Sequence, residues 1–145
     1  MPASYTPDPA LDLVLERTVP VSADKIFQAW TDPDLLAQWF VPAPWSCAEV
    51  SVDLRPGGHF KTVMRSPEGR EFPNVGCYLE VLPPRRLVWT NALAPGFRPL
   101  PPAAHEGFLT FTGIVSLSPQ AGGTHYQARV VHGSPEDCQR HAAMG

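Results

Sequence analysis

Cysteine is scarce here: Cys47, Cys77 and Cys138 are the only three in 145 residues, and no two stand as a C-x-x-C pair. An odd, scattered set excludes a disulfide framework and a cysteine zinc site, and thiols left reduced point to the cytoplasm. Long apolar runs are also missing. No stretch approaches about 18 consecutive apolar residues, and the N-terminus has neither the basic region nor the apolar core of a leader peptide, so no membrane span or secretory signal is expected. Positive charge is thin, with 11 Lys and Arg against 14 Asp and Glu for a formal net charge of −3. The only adjacent basic pair, Arg85-Arg86, sits in a turn. Without a basic face to neutralise phosphates, nucleic acid is not an expected partner.

Chemical motifs are sparse too. The five histidines form no H-x-H or H-E-x-x-H phrase, and no Cys/His cluster exists. His125 and His132 are seven apart on one strand and point to opposite faces, while His59 lies at a turn and His105 in a loop. No metal is expected. Gly57-Gly58 reads as a turn pair, and G-x-S-x-G, P-loop and dinucleotide phrases are all missing, so no cofactor is expected either.

What the chain does have is β-branched and aromatic alternation punctuated by 18 prolines. The clearest stretch runs from Asn74 to Asn91. Val75 to Leu82 and Leu87 to Thr90 read as two strands, and Pro83-Pro84-Arg85-Arg86 must connect them because proline donates no ladder hydrogen bond. Strict alternation puts Gly76, Tyr78 and Glu80 on one face and Cys77, Leu79 and Val81 on the other. Leu87 and Trp89 share a face opposite Val88 and Thr90. Both faces carry bulk, so both are expected to be covered in part. A homodimer through the outer face is one way to cover it.

Taken in order, residues 1–10 read as a flexible lead-in and residues 11–145 as one domain. Leu11 to Val19 alternates as a strand with Leu11, Leu13 and Leu15 on its buried face. Ser22 is a natural cap for a short helix from Ala23 to Trp30, with Ile26, Phe27 and Trp30 at helical spacing. Thr31 or Asp32 caps a second, begun by Pro33 and carrying Leu35, Leu36, Trp39 and Phe40. Strands follow at Cys47 to Leu54, His59 to Arg65, the central hairpin, Phe108 to Ser118 and Thr124 to His132. Residues 94–107 form a long Pro-rich loop, either a gate or a rigid connection. Ser134 and Pro135 start a last helix. Consecutive hairpins with helices to one side give an α+β class built on an antiparallel sheet.

Three phrases in this order resemble a known family: V-x-A-x-x-I-F-x-A-W-T-D-P-x-x-L-x-x-W-F over Val21 to Phe40, D-L-R-P-G-G-x-F over Asp53 to Phe60, and G-x-Y-x-E-V-x-P-P-x-R-L-V-W-T over Gly76 to Thr90. Together they look like the START-like (SRPBCC) superfamily, in the branch similar to the C-terminal domain of the heat-shock protein 90 ATPase activator. The resemblance covers about residues 11 to 145. It implies the helix-grip fold, a curved antiparallel sheet of six or seven strands wrapping a long C-terminal helix. It also implies that this helix continues past Met144-Gly145; with the sequence stopping there, the expectation is a truncated chain, and the alternative is a cavity that lacks much of its lid. It does not select a function, because the superfamily holds lipid carriers, cyclases, hydroxylase domains and co-chaperone pieces.

The resemblance turns the aromatic set into a question of core or cavity, since this fold often leaves space between sheet and long helix. Phe60, Thr62 and Met64 are expected at the floor, Tyr78 and Trp89 beside it, and Trp39, Phe40 and Trp45 at the mouth; Trp30, Phe108 and Phe111 complete the set. Thr62, Tyr78 or His132 would orient a polar group on a small hydrophobic ligand. Glu80, inside an apolar run, is the candidate general base of an enzymatic alternative resembling a cyclase or hydrolase. Its plain alternative is exposure, or pairing with Arg65 or Arg129. A chaperone partner is the third expectation.

Overall fold

The computed structural model describes residues 6–101 and 109–143. Phe108, His105, residues 102–107 of the expected gate, the first five residues and any helix beyond position 143 lie outside the described residues. Residues 8–12 close a turn: the Leu11 and Asp12 amides donate to the Asp8 carbonyl at 3.0 and 2.8 Å.

Strand β1 (Asp12–Val19) leads to α1 (Ala23–Thr31) and α2 (Pro33–Trp39). Ser22 caps α1 by accepting from the Lys25 amide at 3.3 Å. Asp32 caps α2, its Oδ1 accepting from the Asp34 and Leu35 amides at 2.9 and 3.4 Å. Thr31 instead turns its hydroxyl onto the Phe27 carbonyl at 2.8 Å. Strands β2 (Ser46–Val52), β3 (His59–Arg65), β4 (Glu71–Leu82) and β5 (Arg86–Thr90) come next. A short ribbon, β6 (Leu93–Ala94) and β7 (Arg98–Pro99), occupies part of the expected loop. The chain closes with β8 (Phe111–Gln120), β9 (Gly123–His132) and α3 (Pro135–Ala143). Ser134 caps α3 through the Asp137 amide at 3.2 Å.

Seven strands make one antiparallel sheet in the order β1-β9-β8-β5-β4-β3-β2. The chain thus runs as hairpins from β2 to β9, and β1 seals the far edge. Helices α1 and α2 cover one face, here called inner. The core forms there from Phe27 and Leu36 of the helices and Phe60, Tyr78, Leu87, Trp89, Val115 and Leu117 of the sheet. On the outer face Val63, Cys77, Val88 and Thr90 are buried as well. The β6–β7 ribbon packs against β4, and the Gly96 amide donates to the Gly57 carbonyl at 2.7 Å.

Two expectations from strict alternation fail. In β1 the buried residue is Asp12, paired with Arg129 at 2.8 Å, while Leu15 stays 46% exposed. An edge strand lies beyond the reach of α1 and α2, so its inward leucines lack full cover. In β4 a bulge at Leu79 puts Tyr78 opposite Trp89 but Glu80 opposite Val88. One extra residue exchanges the faces. Val81 therefore joins the core side, and Glu80 turns outward.

Candidate functional site

Alternation along β3 sends Phe60, Thr62 and Met64 inward, and their β4 partners across the ladder are Gly76, Asn74 and Phe72. Glycine is required at position 76, because a Cβ there would stand 2.9 Å from the Thr90 carbonyl oxygen. Trp89 lies opposite Gly113 on β8, and its indole occupies the room that the missing side chain leaves; an added Cβ would meet ring carbons at 2.6 to 2.8 Å. The rings lock together: Phe60 stacks on Tyr78 at 5.3 Å, meets Trp89 at 5.5 Å and takes Phe40 edge-on at 5.9 Å.

Beyond this aromatic wall the inner face borders a partly open cavity of about 410 Å³. Its floor is Phe60, Thr62 and Met64; Gly76, Trp89 and Asn91 continue it across the hairpin. Phe40 and Val41 close one side where α2 ends, and Phe111 with Leu109 the opposite one. Helix α3 supplies Arg140 and His141. The lining is mostly apolar with a few polar groups, the ordinary make-up of a small-molecule site, and the volume lies within the usual range of about 300–1,000 Å³.

The polar groups differ in what they are free to do. Asn91 is committed: its Nδ2 donates to the Leu109 carbonyl at 2.7 Å and its Oδ1 accepts from the Phe111 amide at 2.9 Å, which clamps the entry to β8. The side chains of Thr62 and Asn74 make no hydrogen bond among the described residues. Arg140 holds Asp137 at 3.3 Å and is otherwise half exposed. His141 donates or accepts through Nδ1 to His132 Nε2 at 2.9 Å. Burial, and secondarily the neighbouring His132, push the His141 pKa below its ordinary value of 6.5.

Five of the expected site residues, Phe40, Phe60, Thr62, Met64 and Trp89, line this cavity. Four do not. Trp39 packs edge-on to Trp30 at 4.6 Å, and its Nε1 donates to the Ala29 carbonyl at 2.9 Å, fastening α2 to α1. Trp45 leans on Phe72, the ladder partner of Met64, at 5.6 Å, with both residues over a third exposed. Tyr78 is wholly enclosed in the core behind Phe60. Burial raises its phenol pKa far above the ordinary value. His132 stands behind His141 and is 4% exposed. Glu80, on the opposite face, pairs with Arg86 at 3.2 Å rather than with Arg65 or Arg129. Those arginines hold Glu71 and Asp12. Sequence reading passed over Asn74, Asn91, Arg140 and His141. Asn74 was accessible to it, since it alternates with Gly76 and Tyr78. Among the described residues, no three His, Cys, Asp or Glu side chains gather as a metal site.

An antiparallel sheet with its helices on one face, and a C-terminal helix beside a cavity on that face, defines the helix-grip class of α+β proteins. Within it the chain belongs to the family of activator of Hsp90 ATPase homolog 1-like proteins, whose family model matches residues 20–145. This places it in the START-like superfamily. A solved protein from Nitrosomonas europaea is 43% identical, with a TM-score of 0.89 over 97% of this chain and 88% of its own. One from Rhodobacter sphaeroides is 26% identical, with a TM-score of 0.76 over 95% and 83%. An AHSA1-like protein from Aeromonas hydrophila, at 22% identity and a TM-score of 0.70 over 92% and 85%, shares the fold. No curated protein matches.

Proposed function

We propose that this protein binds a small, mostly apolar molecule in the cavity between the inner sheet face and α3, and that it does so in the cytoplasm, where its three unpaired thiols fit the redox state. The cavity of about 410 Å³ against a wall of packed aromatic rings carries the reading. Affinity comes from removing apolar surface from water, at about 25 cal/mol per Å². Phe40, Phe60, Met64, Trp89 and Phe111 provide that surface. Thr62 and Asn74, whose side chains are unengaged among the described residues, orient a polar substituent. Family membership supports a ligand-binding or co-chaperone-like domain; the cavity favours the first.

Native mass spectrometry of the protein purified from its own cytoplasm, before and after denaturation, tests this. A stoichiometric co-purifying molecule of a few hundred daltons is expected. A protein that is empty, and stays empty when titrated with apolar probes, contradicts it.

A further inference from the structure

His132 ends β9 and His141 sits in α3, yet their rings stand nearly perpendicular with centroids 5.1 Å apart. His132 Nδ1 lies 2.7 Å from the Leu11 carbonyl oxygen. A carbonyl has no proton to give, so Nδ1 must carry one. In a neutral His132 the other nitrogen, Nε2, is then bare, and it accepts from Nδ1–H of His141 at 2.9 Å. Neutral His141 is thereby fixed in one tautomer, with its lone pair on Nε2. That nitrogen is the one left for the cavity that His141 lines. The Phe111 ring, at 4.9 Å, flanks the imidazole.

The charged groups nearby leave this acceptor electrically quiet. From α3, Arg140 and Asp137 neutralise each other at 3.3 Å. The Asp12–Arg129 pair of β1 and β9 lies on the outer face, and Leu11 contributes only its carbonyl. The chain from backbone oxygen through two imidazoles therefore presents one uncharged acceptor to an apolar chamber, and an uncharged O–H donor satisfies it at least desolvation cost.

We propose that the ligand of this cavity is an apolar molecule bearing a neutral hydroxyl, an alcohol or phenol, which donates to His141 Nε2, with His132 as the positioning residue that holds the tautomer. This rests on the cavity-binding reading above and specifies its polar end. Adding one proton to the pair reverses the sense of the chain: His132 Nε2 then donates, His141 Nδ1 accepts, and His141 Nε2–H becomes a donor. The preference for a hydroxyl should fade as pH falls.

Matched probes test it by calorimetry near pH 7.5: para-tert-butylphenol, its methyl ether, and para-tert-butylbenzoate. The phenol should bind on the order of tenfold more tightly than the ether, the worth of one good hydrogen bond. That advantage should shrink on acidification of the wild-type protein, a readout that needs no variant. In His141→Phe the phenol and ether should bind alike at every pH, and in His132→Phe, where nothing holds the His141 tautomer, the phenol's advantage near pH 7.5 should shrink while its loss on acidification remains. Equal binding of phenol and ether by the wild type overturns the inference while leaving the cavity reading intact. Tightest binding of the benzoate overturns it in favour of an anion site at Arg140. Binding of none of the three overturns both.

Discussion

Tyr78 has the most exacting environment of any single residue in the chain. Its side chain has no exposure, and its hydroxyl finds no hydrogen-bond partner among the described residues. A buried, unpartnered hydroxyl costs about 1–3 kcal/mol of desolvation that nothing returns. Tyr78→Phe keeps the stack on Phe60 and removes that cost, so it should raise unfolding stability by about 1 kcal/mol in chemical denaturation. A loss of similar size would mean that the hydroxyl is bonded. At His141 the balance involves protons. Its pKa is depressed in the folded state, chiefly by burial and then by His132. Below about 6.5 the unfolded chain therefore binds more protons at this position than the folded one, and stability present above 6.5 is lost as pH falls. The melting temperature should drop between about pH 7.5 and 5.5 more steeply in the wild type than in His141→Phe. Equal slopes would remove His141 as the source. None of this could be read from sequence: nine positions across a strand–helix junction follow no local period, and only packing brings the two imidazoles together.

Among the elements, β3 and β4 show what alternation can and cannot deliver. The placing of Phe60, Thr62 and Met64 on one face needs only a regular strand, and β3 is regular over all seven residues. The same count along β4 is sound to Tyr78 and wrong afterwards. The bulge at Leu79 carries no glycine or proline to announce it; it follows from how β4 must pair with β5. Its consequence for function is direct, because the best acid–base candidate by sequence, Glu80, leaves the cavity side. Glu80→Gln should change the affinity of cavity probes by less than about twofold, since the Arg86 pair is half exposed and such pairs contribute little. A tenfold loss would return Glu80 to the site. Two helix caps were legible residue by residue, Ser22 before an apolar period and Ser134 before Pro135, while Asp32 shared its candidacy with Thr31 until packing decided between them. Trp39 was misplaced for the opposite reason. Its spacing in α2 is that of an apolar face, but the angle between two short helices decides whether that face meets the cavity or the neighbouring helix.

For the molecule as a whole, order of elements and family phrases sufficed for the sheet, because hairpins joined by short turns have few alternative arrangements. The cavity was legible only on the side that the sheet builds. Its other wall, Arg140 and His141, depends on where α3 crosses, and Asn91 and Leu109 enter it through a long-range clamp between the ends of β5 and β8. The account's central claim is that this cavity, and not the exposed Trp45–Phe72 pair or the outer face, receives a small apolar molecule. Backbone amide chemical shifts recorded while para-tert-butylphenol is titrated into the labelled protein test it most directly. Saturable shifts should centre on Thr62, Gly76, Asn91, Phe111 and His141, with Glu80 and Val14 unmoved. Shifts confined to Trp45 and Phe72, or a response that never saturates, would contradict it.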